Sequence, residues 1–144
     1  MTNKNKIFEY QVLIRESHLD SFGHVNNAAY VQLYEEARWD FITKNGFGLD
    51  HIQQYQLGPV ILDLSVRFKR ELKNRELVTI TSQAVEMMGP KVMVLNQAIL
   101  MADGKIASEA SFTVGFFDLK ERKLINVSEE WLKAVGWQTD LSNK

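Results

Sequence analysis

The chain contains no cysteine among its 144 residues. Disulfide bonds, thiolate nucleophiles and cysteine-based zinc sites are therefore excluded. An excess of charge of one sign is missing too, because 17 lysines and arginines stand against 18 aspartates and glutamates, a formal net charge of -1. Since no long basic block appears either, the expected partners are small molecules or proteins and not nucleic acid.

Long apolar runs are absent as well. No stretch approaches the roughly 20 apolar residues that would span a bilayer, and residues 1–8 lack the apolar core of a secretory signal. Apolar residues make up 45% of the chain and charged residues 24%, which is typical of a soluble globular domain. We therefore expect a single domain over residues 1–144, without membrane contact and with a cytoplasmic location.

One long helix is predicted between Asn27 and Lys44, a stretch without glycine or proline. Its apolar residues recur at spacings of three and four, which predicts a buried stripe on one helix face. The stripe consists of Tyr30, Leu33, Tyr34, Ala37 and Phe41. The following Asn45-Gly46 pair is a typical helix stop.

Strands are predicted on both sides of this helix. Their ranges are 7–16 before it and 60–69, 77–87, 91–101 and 105–119 after it. In the second strand Val60, Leu62, Leu64, Val66 and Phe68 alternate with polar residues, so these five are expected on one face. A short helix is predicted from Ser128, its N-cap, to about Gly136.

The order of these elements predicts an α+β fold. Because consecutive strands follow the helix without β-α-β alternation, we expect an antiparallel sheet of five to six strands wrapped around one long central helix, plus the short C-terminal helix. Such a sheet has open edges. Pairing of one edge with the same edge of a second copy, in a two-fold dimer, would cover them.

Polar residues concentrate where the first loop meets the long helix, in the run Asp-Ser-Phe-Gly-His-Val-Asn-Asn at 20–27. This order brings a carboxylate close to the exposed N–H groups and the positive dipole end of the helix. Such an arrangement can polarise a carbonyl or hold an anion. The carboxylate would attack a carbonyl while the N–H groups of the helix polarise that carbonyl.

The motif Asp20-x-x-Gly23-His24-Val25-Asn26-Asn27-x-x-Tyr30, followed by Glu35-x-Ala37-Arg38, resembles the hotdog-fold acyl-CoA thioesterases of the 4-hydroxybenzoyl-CoA thioesterase family. The predicted order of elements agrees with that fold. The resemblance implies hydrolysis of an acyl-CoA thioester to a free acid and coenzyme A. It also implies a homodimer or a dimer-of-dimers tetramer, and neither a cofactor nor a metal ion.

The resemblance also implies roles for individual residues. Asp20 would act as the nucleophile or as a general base on water, and the backbone N–H of Asn27 would polarise the thioester carbonyl. His24 could move a proton, although a histidine held by a backbone carbonyl explains it equally well. Glu35 would support the site from the helix, although a surface ion pair with Arg38, one turn later, would also explain it. Related plant acyl-carrier-protein thioesterases carry an asparagine where this chain has Phe22, so the chemistry of that asparagine does not carry over.

Five further residues are candidates for binding the substrate. Gly23 would permit a tight turn, and Asn26 would cap the helix with its side-chain oxygen. The cations Arg67, Lys69 and Arg70 could contact the phosphates of coenzyme A, although a solvated strand face would also explain them.

Three other functions compete with acyl-CoA hydrolysis. A hotdog pocket could bind or sense acyl-CoA without turning it over, or it could hydrolyse acyl groups on acyl carrier protein. A hydratase acting on enoyl-CoA is a third possibility, but the Gly-His-Val-Asn-Asn context does not fit its loop pattern.

Overall fold

The computed structural model describes residues 4–138. Within them the chain forms three α-helices, one turn of 3-10 helix and six strands. In chain order they are β1 (Ile7–Leu13), the 3-10 turn (Glu16–His18), α1 (Asn27–Lys44), α2 (Leu49–Tyr55), β2 (Leu57–Phe68), β3 (Leu77–Met87), β4 (Val92–Leu100), β5 (Ile106–Asp118), β6 (Lys123–Leu124) and α3 (Glu129–Ala134). None of the helices in 4–138 is both long and apolar enough to cross a membrane.

All six strands belong to one antiparallel sheet. Its order is β1-β3-β4-β5-β2, and the two-residue strand β6 pairs with β5. The antiparallel sheet of five to six strands predicted from the sequence is therefore confirmed. Since β1 and β2 each pair with only one neighbour, they are the two edges, and β2 is the longer of them.

The core lies between α1 and the inner face of the sheet. Every residue of the predicted stripe on α1 is buried, from Tyr30 to Phe41. Tyr34 is fully buried, and its hydroxyl donates to Ser108 Oγ on β5 at 2.7 Å. Phe112, also fully buried, meets the Tyr34 ring edge-on. Apolar contact thus holds α1 against the sheet, and this buried hydrogen bond contributes to fixing its rotation.

A second set of buried polar contacts joins α1 to the middle of the sheet. The amide of Gln97 on β4 donates to the carbonyl of Tyr34 at 3.0 Å and to Ser82 Oγ on β3 at 2.9 Å. Its oxygen accepts from Arg38 Nη1 at 2.9 Å. Because Gln97 is 3% exposed, these hydrogen bonds replace water that the amide has lost.

The predicted alternation along β2 is wrong at one point. A register shift between Ile61 and Asp63 marks a β-bulge, which changes the face on which the following residues lie. Ile61 pairs with Val114 and Leu64 with Phe112, both buried, so these two share the inner face. Leu62 instead lies over Gly115, outside the common face expected for it.

Two other differences concern the ends and number of elements. β1 ends at Leu13 and not at residue 16, and α2 was not predicted at all. α2 has seven residues and begins after Gly48, which offers no side-chain cap, so the usual start signal is missing. The C-terminal helix agrees with its prediction, since Ser128 Oγ accepts from the N–H of Trp131 at 3.1 Å.

Replacing Tyr34 with phenylalanine should destabilise the fold. The change leaves Ser108 Oγ without its donor in a dry core, which we expect to cost about 1 to 2 kcal/mol in the free energy of unfolding in urea. The matched control Tyr10→Phe removes the hydroxyl of a half-buried tyrosine that donates to the exposed Glu36. It should lower the free energy of unfolding by only about a few tenths of a kcal/mol. Equal effects of the two changes would contradict this account of the core.

Candidate active site

The loop before α1 is closed by the side chain of Asp20. Asp20 Oδ1 accepts the N–H groups of Phe22 at 2.9 Å and His24 at 3.1 Å. The Asp20 N–H donates to the carbonyl of His24 at 2.7 Å, and Gly23 makes the turn at a φ of +81°. Among residues 4–138 no donor reaches the other carboxylate oxygen, Oδ2. Asp20 therefore combines an anchored oxygen with one that remains available for chemistry.

One N–H group at the amino end of α1 has no acceptor within residues 4–138. Asn26 is the N-cap, and its Oδ1 accepts from the N–H of Ala28 at 2.8 Å. The N–H groups of Ala29 and Tyr30 donate to the Asn26 carbonyl, and the N–H of Asn26 itself donates to the carbonyl of His18. Within the described residues Asn27 N–H alone in this first turn makes no hydrogen bond. It is thus a preorganised donor at the positive end of the helix.

His24 pairs with Glu71, a residue that the sequence analysis did not single out. His24 Nε2 contacts Glu71 Oε1, and both side chains are more than half exposed. Glu71 follows β2 and lies 47 residues away in the chain, so no local spacing could have linked the two. The fully buried Leu72 fixes the backbone beside it, and the N–H of Arg70 donates to the carbonyl of Ala107. The carboxylate is therefore presented to His24 from an anchored segment.

His24, Asn27 and Glu71 meet around a surface concavity of about 260 Å³; Asp20 stands in the adjoining loop and is not among the residues that line it. Its polar walls are His24, Asn27, Tyr30, Lys69, Arg70 and Glu71, and Phe68 adds an apolar side. Burial, with Glu71 nearby, raises the pKa of Tyr30, so its hydroxyl stays protonated at neutral pH. The concavity thus brings together a backbone donor, an imidazole and cations.

The model of the thioesterase-like superfamily matches residues 14–135. This chain belongs to that superfamily. It is 33% identical over 121 residues to the long-chain acyl-CoA thioesterase FadM of Escherichia coli (strain K12), covering 83% of this chain and 90% of the relative.

Solved structures agree with this membership. The structure of YbaW from Escherichia coli is similar with a TM-score of 0.76 and 29% identity, covering 89% of this chain and 96% of the other. The protein SAV2348 from Staphylococcus aureus, solved in complex with CoA, has a TM-score of 0.83 at 16% identity, covering 91% and 82% of the two chains. At that identity the second likeness shows the fold alone, a hotdog.

The three cations that the sequence analysis grouped together separate in the structure. Lys69 pairs with Glu109 and holds the pKa of that carboxyl below its usual range. Arg67 lies opposite Glu109 in the β2–β5 register, on the outer face of the sheet, away from the concavity. The side chain of Arg70 forms no ion pair within residues 4–138. Arg70 is therefore the cation on the concavity with its charge uncommitted.

Glu35 also lies apart from the loop and the amino end of α1. It is eight residues after Asn27, about 12 Å along the helix axis. Its side chain is exposed at the rim of a second cavity, between α1 and the sheet. Within one protomer Glu35 thus belongs to a different part of the molecule from Asp20 and His24.

The conformation of Gly23 should matter for activity more than for stability. Alanine at a φ of +81° is strained by roughly 1 to 2 kcal/mol although no atom obstructs its Cβ, and relief of that strain would move the loop that Asp20 closes. We expect Gly23→Ala to lower thioester hydrolysis at least about tenfold. Gly104→Ala is the matched control, because its φ of +88° and open surroundings are the same, in a distant hairpin. Gly104→Ala should lose similar thermal stability and keep its activity. Equal activity of the two variants would contradict a role of the Asp20 loop in hydrolysis.

Proposed function

We propose that this protein hydrolyses acyl-CoA thioesters to a free carboxylic acid and coenzyme A, in the concavity at the amino end of α1. The observation that carries the proposal is the unpaired Asn27 N–H, which directly follows a loop closed by the carboxylate of Asp20. Membership of the thioesterase-like superfamily supports the same reaction, as does 33% identity to an enzyme named for acyl-CoA hydrolysis.

In the proposed reaction the thioester oxygen accepts a hydrogen bond from Asn27 N–H. Water attacks the carbonyl carbon while Asp20 Oδ2 takes its proton, or Oδ2 itself attacks and water hydrolyses the resulting anhydride. In both routes the carbon–sulfur bond breaks and coenzyme A leaves as a thiolate. In the first route the thiolate takes the proton that Asp20 holds; in the second it takes a proton from the water that cleaves the anhydride, and Asp20 is regenerated as a carboxylate. A preorganised donor of this kind can contribute roughly 3 to 4 kcal/mol to an acyl-transfer transition state.

His24 and Glu71 act in this scheme as a pair. With Nε2 held by Glu71, the second ring nitrogen of His24 is left to bind water or the leaving thiolate. Gly23 and Asn26 act through the backbone, by shaping the loop and capping the helix. We assign Glu35 a supporting role through the second cavity.

The pantetheine and nucleotide of bound coenzyme A would extend out of the concavity past Arg70. A guanidinium whose charge is not neutralised by a neighbour is suited to bind a phosphate. Lys69 can bind a second phosphate oxygen if it gives up its ion pair with Glu109. Arg67, on the outer face of the sheet, would contribute only to the positive electrostatic potential around the site and not to direct contact with the phosphates. A cytoplasmic location follows for a substrate that is a coenzyme A thioester.

We further propose that two copies pair through β2. Large apolar side chains along this edge strand are exposed, namely Ile61, Leu62, Leu64 and Phe68. An apolar edge strand left in water is an aggregation site, and a two-fold partner covers it with its own copy of the same edge. Assembly of two dimers into a tetramer remains a prediction.

Asp20→Asn should abolish most of the activity without loosening the loop. The amide oxygen of asparagine can still accept from Phe22 and His24, whereas the charge that attacks or accepts a proton is lost. We expect kcat for thiol release from acyl-CoA to fall by at least about 100-fold. The assay should use acyl-CoAs of graded length and, separately, acyl carrier protein thioesters.

The matched control is Asp118→Asn. Asp118 Oδ1 also accepts two backbone N–H groups, those of Lys120 and Glu121, in a turn far from α1. This variant should keep its activity. Survival of activity in Asp20→Asn would move the chemistry to His24 or Glu71, and a wild-type protein that binds acyl-CoA without releasing thiol would be a binding module.

A charge on the β2 edge should separate the protomers. Leu64→Glu puts a carboxylate among the apolar side chains of the proposed interface, so light scattering after gel filtration should report a monomer. Ile7→Glu is the control on the opposite edge, where Ile7 of β1 is 56% exposed. If Leu64→Glu and the wild type have the same mass, pairing does not occur through β2.

A further inference from the structure

The second cavity lies between α1, α3 and the inner face of the sheet and has a volume of about 190 Å³. Most of its walls are apolar, among them Trp39, Ile61, Leu95, Val114 and Trp131. A cavity of about 150 Å³ holds one benzene molecule, so this one accommodates a segment of about seven carbon atoms. Its lining matches a hydrocarbon chain except at two residues, Glu35 and Arg38.

Arg38 is an unusual wall for such a cavity. Its guanidinium carbon lies 4.2 Å from the centre of the Phe112 ring, and Nη1 donates to Gln97 Oε1. Both partners are neutral. They hold the guanidinium in position, but they do not neutralise its charge and they use one of its five N–H groups.

No carboxylate of residues 4–138 forms an ion pair with Arg38. Glu35, one turn earlier on α1, is the acid whose charge acts on it, and Glu35 is exposed so that water screens it. Burial lowers the pKa of Arg38 to about 10, which still leaves the group protonated at neutral pH. A half-buried cation of this kind favours an anionic partner, because charge-assisted hydrogen bonds recover what its partial desolvation costs.

We propose that this cavity receives the distal part of the acyl group and that Arg38 binds a carboxylate at its end. The preferred substrates are then coenzyme A thioesters of dicarboxylic acids. The inference rests on the proposed function. The apolar walls take up the methylene groups, and the guanidinium fork pairs with both oxygens of the terminal carboxylate.

The position of Arg38 bears on the length of the acyl group. It lies eleven residues after Asn27, about 16 Å along the axis of α1, and a long side chain on a helix leans back towards the amino end. Chains of several lengths must therefore be compared. The length that gives the largest preference for a terminal carboxylate measures the path from the reacting carbon to the guanidinium.

The first experiment compares three matched pairs of substrates. Suberoyl-, sebacoyl- and dodecanedioyl-CoA differ from octanoyl-, decanoyl- and dodecanoyl-CoA only in a carboxylate in place of the terminal methyl group. For at least one pair we expect kcat/KM of the wild type to be ten or more times higher for the diacid. A preference for the methyl-ended member of every pair overturns the inference but leaves the proposed function standing; no hydrolysis of any acyl-CoA is the failure of the proposed function itself.

Variants of Arg38 test the origin of the preference. Arg38→Met should lower the ratio of diacid to monoacid kcat/KM at least tenfold, mainly through KM, and Arg38→Lys should retain part of it because the charge remains. Arg122→Met is the matched control, since Arg122 also lies over an aromatic ring, that of Phe117, but far from the cavity. An unchanged ratio in Arg38→Met overturns the inference. Should that variant not fold, the comparison of the wild type with Arg38→Lys decides.

A binding measurement keeps the inference testable without turnover. Trp39 and Trp131 line the cavity, so their fluorescence reports a ligand there. Monomethyl suberate should titrate this signal at a concentration ten or more times lower than methyl octanoate, which lacks the carboxylate. Equal titration by the two esters means that Arg38 is neutralised in another way, for example by a second copy of the chain, and rejects the proposed specificity.

Discussion

The seating of α1 on the sheet through Gln97 is the constraint on which the rest of the molecule depends. Apolar contacts hold the helix but do not fix its rotation, since they have no direction. Gln97 forms hydrogen bonds with the Tyr34 carbonyl, Ser82 and Arg38. The Tyr34 hydroxyl adds a hydrogen bond to Ser108. These buried hydrogen bonds join the helix to three strands. The amino end of α1, with the free Asn27 N–H, lies where it does because of them.

The bulge in β2 has a similar influence on the edge of the sheet. It turns Ile61 towards the cavity beneath α1 and leaves Leu62 over Gly115. Downstream of the bulge Phe68 meets the ring of Tyr30, beside the concavity where we propose the reaction. Because of this one extra residue, β2 lines the second cavity, forms the proposed dimer edge and contributes a wall of the candidate active site.

Local patterns in the sequence predicted the long elements but not the long-range pairs. The spacing of apolar residues predicted α1, and β3 was predicted from Leu77 to Met87 as observed, because both periodicities extend over many residues. The bulge at Ile61 escaped prediction, since it depends on the pairing partner. The contact of His24 with Glu71 and the separation of Arg67 from Arg70 depend on tertiary structure, which no spacing along the chain encodes.

The position of the half-buried Arg38 argues for a ligand and not for stability alone. A well-packed apolar side chain of similar volume often stabilises a core as well as or better than a buried ionic group. Methionine could fill the space over Phe112, and Gln97 would still bind Ser82 and the Tyr34 carbonyl. What methionine could not supply is a fixed cation facing an apolar cavity on the helix that also carries the Asn27 N–H. A charge held there, at a cost to folding, is explained by a substrate that brings the opposite charge.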